Sequence, residues 1–165
     1  MRITLLLALL PLLASAPADA ARIVRGPFLQ QTSPRATLVV VHTDAPATVD
    51  VEARGEEGLV RARSSGVEHV LKLEGLAPGE EHGYDVRVDG TLTGSYRFRT
   101  PGEPGTPAGS RAVLGVIGDM GSGGPNERAN VQQMVSRRVD AVLTVGDNSY
   151  PDGAPAEWDP KFFRP

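Results

Sequence analysis

Two Gly-Asp steps and one tyrosine carry the chemistry of the C-terminal third of this 165-residue sequence. Asp119 follows Gly118 at the end of the apolar run Ala112-Val113-Leu114-Gly115-Val116-Ile117. Asp147 follows Gly146 at the end of Ala141-Val142-Leu143-Thr144-Val145, and Tyr150 comes three residues later. Two carboxylates raised side by side repel each other unless a cation sits between them. Hard oxygen donors suit Fe(III), Mn(II), Zn(II) or Mg(II), and a neighbouring phenol is one that trivalent iron can deprotonate and bind. Glycine before each aspartate lets backbone and ligand approach without a Cβ in the way. Taken singly, each feature has an ordinary reading. A Gly-Asp after a strand is usually a turn whose Asp caps the next helix, and a lone tyrosine is usually a packed ring with its hydroxyl outward. Their occurrence in order, on successive strands, favours a metal site. The glycine-rich stretch Gly118–Gly124 lacks the Gly-Lys-Ser/Thr of a phosphate-binding loop, and Gly118-x-x-Gly121 breaks the dinucleotide spacing.

The elements that must position these residues are a strand, a helix and a strand. Both apolar runs have the composition of strands buried on two faces. Between them Pro125 and Asn126 suit a helix start, Glu127 the first turn and Arg137-Arg138 the last. Val131, Met134, Val135 and Arg138 fall in one stripe of that helix, as in a core-facing seam. The unit predicts parallel strands with a right-handed crossover, and ligands of open α/β sheets bind at the carboxyl ends of the strands.

Residues 22–100 read differently. Short β-rich stretches recur at Ala36–Thr43, Thr48–Ala53, His69–Leu73, Tyr84–Val88 and Ser95–Thr100, several alternating with period two. Asp89-Gly90 predicts a type I′ hairpin. The pattern is that of a β-sandwich of about seven strands. The three histidines, His42, His69 and His82, all fall within it without metal-ligand spacing, and read as structural or surface residues. Residues 101–110 (PGEPGTPAGS) are rich in Pro and Gly and predict an extended linker between two domains.

The segment Leu73–Tyr84 resembles the corner entering a late strand of a fibronectin type III-like domain, and Phe98-Arg99-Thr100-Pro101 resembles its last strand. His82 stands where that family usually has the corner tyrosine, and Val41 where a core Trp is common. Further on, Gly118-Asp119-Met120-Gly121 is similar to the GDxG block of purple acid phosphatases, and Gly146-Asp147-Asn148-Ser149-Tyr150 to their GDxxY block. The fold class implied is a mainly β, fibronectin type III-like sandwich at 21–100, followed across the linker by the β-α-β start of an α/β metallophosphoesterase domain at 111–165. The resemblance implies that Asp119 binds Fe(III), that Asp147 bridges two metals and that Tyr150 is the phenolate ligand of the iron. It implies a binuclear centre of Fe(III) with Fe(II), Zn(II) or Mn(II), and hydrolysis of phosphate monoesters. The family's further blocks, GNH(D/E), VxxH and GHxH, do not occur in these 165 residues. The sequence is therefore expected to be an N-terminal portion, inactive alone and with no catalytic acid or base of its own. Two other classes stay open: a non-catalytic adhesion or carbohydrate-contact module with a vestigial phosphoesterase segment, and a metallophosphoesterase acting on diesters or nucleotides.

The first twenty residues read as an export signal. Arg2 gives the positive start, Ile3–Leu13 the apolar stretch, and Ala18-Asp19-Ala20 the small-x-small cleavage site, with cleavage expected after Ala20. The mature chain is thus expected to be secreted or periplasmic, with no membrane attachment after cleavage. It has no cysteine, so a disulfide framework or thiolate site is excluded and folding relies on the core. With 17 Lys+Arg against 20 Asp+Glu, it has no basic excess to neutralise a phosphate backbone, which argues against a nucleic-acid partner.

Overall fold

The computed structural model of the chain describes residues 20–109 and 111–163. The expected leader, apart from Ala20, lies outside the described residues. Five strands come first: β1 (Ile23–Gln30), β2 (Ala36–Arg54), β3 (Leu59–Glu74), β4 (Glu81–Val88) and β5 (Thr91–Arg99). All pair antiparallel, and two of them do the work of four. The first half of β2 (36–42) pairs with β1 on one side and with the second half of β3 (68–74) on the other. Its second half (47–54) pairs with the first half of β3 (59–66), and there β4 replaces β1, with β5 beyond it. Between the halves, on the β3 side, residues 43–46 of β2 lie opposite Val67 alone, a large bulge that turns both strands from one layer into the next. Pro46 sits inside the bulge, where a missing N–H costs no ladder bond. Counted by halves there are seven strand segments in two layers, the fibronectin type III-like sandwich that the sequence predicts.

Alternation decides what fills the sandwich. Val39, Val41, Leu71 and Leu73 point inward from one layer, and Val49, Val51, Ala53, Tyr84, Val86 and Val88 from the other. Each fully buried branched side chain contributes about 1.5–3 kcal/mol of apolar transfer free energy. Val41 is completely buried, so a valine serves at the position where a tryptophan is common. Asp89 and Gly90 close the β4–β5 hairpin with φ of 48° and 80°, the positive pair that a type I′ turn requires.

His82 takes the corner position in full. One ring nitrogen lies 3.0 Å from the carbonyl oxygen of Arg54 and the other 2.9 Å from that of Ala77. The ring therefore ties the loop before β4 to the end of β2. His69 is also buried, facing Thr43 across the layer.

Residues 101–109 are not an extended strap. Thr106 and Gly109 close a local turn on Glu103 and Thr106, Pro107–Gly109 forms a 3-10 turn, and Arg35 pairs with Glu103 at 2.7 Å. Proline-rich composition favours extension, but the hydroxyl of Thr106 and the carboxylate of Glu103 fold the segment back onto the sandwich.

A short β-α-β segment follows: β6 (Leu114–Ile117), α1 (Pro125–Ser136) and β7 (Ala141–Thr144), with β6 and β7 parallel. The helix starts at Pro125 and covers one face of the strand pair, with Met134 against Gly115. Against the expectation of strands buried on both faces, Leu114, Val116, Leu143 and Val145 are exposed, because one helix can cover only one side. The helical stripe is open too. Val131, Met134, Val135 and Arg138 line, with Ile117, Met120, Val139 and Val142, an apolar hollow of about 370 Å³. The described chain closes with a short helix α2 (Pro155–Trp158) and a π-helical turn, Asp159–Phe163.

Candidate metal centre

The parallel ladder of β6 and β7 delivers both Gly-Asp steps to the same edge. Val145 N–H donates to Ile117 O at 2.9 Å and Asp119 N–H to Gly146 O at 3.1 Å, so pairing continues up to the two aspartates. Both then enter the left-handed region, Asp119 with φ 58° and Asp147 with φ 50°. Side chains rarely adopt that conformation, and it recurs where function fixes it.

Gly121 brings the second loop within reach of the first. Its φ is 86°, and a Cβ there would collide with the backbone carbonyl of Asn148 and stand 2.7 Å from Ser149 N. No other residue permits that approach, and Tyr150 N–H uses it to donate to Gly121 O at 3.1 Å. The tyrosine ring is thereby carried to the aspartates. Its hydroxyl donates to Asp119 Oδ1 in a close contact and lies 3.1 Å from Asp147 Oδ2. All three residues singled out in the sequence therefore meet. The hydrogen bond to Asp119, then burial and the bond to Asp147, hold the phenol well above its ordinary pKa. Two carboxylates thus converge on a single shared proton.

This donor set suits a hard cation. One oxygen of each carboxylate meets the phenol oxygen at the strand ends, and the buried Asn148 Oδ1 has no hydrogen-bond partner among the described residues. No group of three or more His, Asp or Glu side chains at metal-ligand distance occurs among the described residues. The set rests on the two aspartates and the phenol. None of the histidines joins it.

The loop after β6 is held from its other side. Glu127, in the first turn of α1, is buried and accepts from Gly123 N–H at 2.7 Å, while its second oxygen has no hydrogen-bond partner among the described residues. Sequence reading gave Glu127 only a helix-start role. Lys161 donates to the carbonyl oxygen of Tyr150 and pairs with Glu157 Oε1 at 2.9 Å. That lysine was not legible as part of the site, because nothing in its spacing links it to position 150.

Comparisons with known proteins agree with the architecture. Residues 20–99 match a family model described as a domain of unknown function (DUF7800). No curated protein matches the chain. The solved structure of PhoD superposes with a TM-score of 0.60 at 12% identity, covering 82% of this chain and 30% of that one. The chain thus spans less than a third of the PhoD chain. A fibronectin type III domain from human KIAA0970 protein aligns at 18% identity with a TM-score of 0.37, over 52% of this chain and 77% of that one. At these identities the PhoD likeness establishes fold alone: a mainly β domain followed by a β-α-β segment.

Proposed function

We propose that the chain carries the strand-end half of a metallophosphoesterase site of the purple acid phosphatase type, directed at phosphate monoesters. The meeting of Asp119 and Asp147 at the Tyr150 hydroxyl carries this reading. The fold likeness to PhoD, a phosphatase, supports the broader phosphoesterase class. Asp119 and Tyr150 would hold Fe(III), and Asp147 would bridge it to Fe(II), Zn(II) or Mn(II). Such a pair, when bound, supplies Lewis acidity toward the phosphoryl group and an acidified water. The chain's own part is positional. Gly121 lets the loops close, the left-handed aspartates bring both carboxylates to the Tyr150 hydroxyl, and Tyr150 would give up that proton to solvent on holding a cation. The reading includes export through the 1–20 leader to the periplasm or beyond, with no nucleic-acid partner.

The test is spectroscopic. Titrated with Fe(III), the chain should develop a visible phenolate-to-iron absorption that Tyr150→Phe abolishes. Asp147→Ala should weaken binding by about tenfold or more, the lower bound for removing a metal-supporting group. An identical band in Tyr150→Phe removes Tyr150 from the site and with it the purple acid phosphatase reading.

A further inference from the structure

The segment after Tyr150 joins the candidate site to the β-sandwich. Arg25 of β1 grips Asp159 with two hydrogen bonds, Nε to Oδ1 at 2.7 Å and Nη2 to Oδ2 at 3.1 Å. Its guanidinium carbon also stands 4.5 Å from the centre of the Phe163 ring, and Phe28 of the same strand packs on that ring at 5.3 Å. The fork is partly buried, the setting in which a bidentate Arg–carboxylate pair and a cation–π contact count for more than exposed charges do. Two residues beyond Asp159, Lys161 donates to the Tyr150 carbonyl. A Cβ on Gly123 would sit 3.5 Å from Pro160 O and 3.6 Å from Lys161 Cγ. One short segment therefore touches the backbone of both site loops and, at its other side, the sandwich.

We infer that Arg25 is a positioning residue: through Asp159 and Lys161 the β-sandwich fixes where Tyr150 stands against Asp119 and Asp147. The sandwich is then a structural part of the site. The inference builds on the ligand role proposed for Tyr150, yet its geometry can be tested without metal.

The test is amide hydrogen exchange on the full chain. In Arg25→Ala and in Asp159→Asn, the amides of Tyr150 and Asp119 should exchange about tenfold faster, while those of Val39 and Leu71 keep their protection. The double variant should be no worse than either single one, because both break the same link. Unchanged protection at Tyr150 in both single variants overturns the inference, and so does strict additivity in the double. If Arg25→Ala opens the sandwich amides as well, Asp159→Asn decides, since it leaves β1 untouched. A wild-type chain without a Fe(III) band refutes the ligand reading and leaves the exchange result to judge the clamp by itself. Where the band is present, Arg25→Ala should weaken Fe(III) binding by about tenfold, as second-sphere losses do. Unweakened Fe(III) binding in that variant overturns the inference.

Discussion

Asp147 occupies a backbone conformation that glycine would adopt at less cost, with φ of 50° directly after Gly146. Nothing in folding asks for a carboxylate there. It is exposed, it meets the Tyr150 hydroxyl at 3.1 Å, and its negative charge repels that of Asp119 across the loop pair. Residues that disfavour their own fold yet gather at one point are typical of sites kept for function. Asp147→Gly is therefore expected to leave the thermal midpoint unchanged or raise it, while Fe(III) affinity falls by more than about tenfold. Melting followed by circular dichroism, beside a Fe(III) titration, reads both quantities. A clear loss of stability with iron binding intact would make Asp147 a structural turn residue. At this scale the sequence was informative because the strand-end placement of Asp119 and Asp147 follows from the apolar runs before them. Asn148, Glu127 and Lys161 were not legible, since their roles depend on which loop faces which. The same holds for His82, whose two carbonyl partners lie 28 and 5 positions away.

Strands whose inward residues are large and outward residues charged could be read directly, such as the second half of β2 and β4. β1 and the first half of β3 could not. β1 is interrupted by Gly26-Pro27, and residues 59–66 alternate Val60 and Ala62 with Arg61 and Arg63, so only one face is half-buried. The continuity of β2 through Thr43–Pro46 was hidden for the opposite reason, because a proline there reads as a turn while the structure makes it a bulge. β3 also carries a histidine into the core, which gives the sandwich a pH limit. Burial, above all, lowers the His69 pKa below its ordinary value of 6.5. The unfolded chain then binds a proton near pH 6.5 that the folded chain does not, so stability is full above that pH and falls as pH drops through the lowered value. The thermal midpoint of the wild type should decline between pH 7 and pH 5, and His69→Leu should flatten part of that decline. An equal slope in the variant would mean that His69 titrates no differently in the folded chain.

Among the described residues the β-α-β segment is held to the sandwich through a tether and a contact, and they differ in kind. The 101–109 stretch is a covalent tether folded on itself, anchored at Arg35 and Glu103. The 155–163 segment is a contact, through Arg25, Phe28 and Phe163. Between the tether and β6, Arg111 and Ala112 are exposed and belong to no helix or strand, whereas the arginines of β3 lie in a hydrogen-bonded strand. Backbone accessible in this way is where a protease finds an extended conformation without first unfolding its target. Trypsin at low ratio is thus expected to cleave after Arg111 before it cleaves after Arg61 or Arg63, releasing a sandwich fragment that ends at Arg111 by mass spectrometry. That fragment should keep the core amides of Val39 and Leu71 protected, because no residue of the buried cluster lies beyond Phe98. First cleavage within β3 would show instead that the sandwich opens more readily than the junction, and that the β-α-β segment stabilises it.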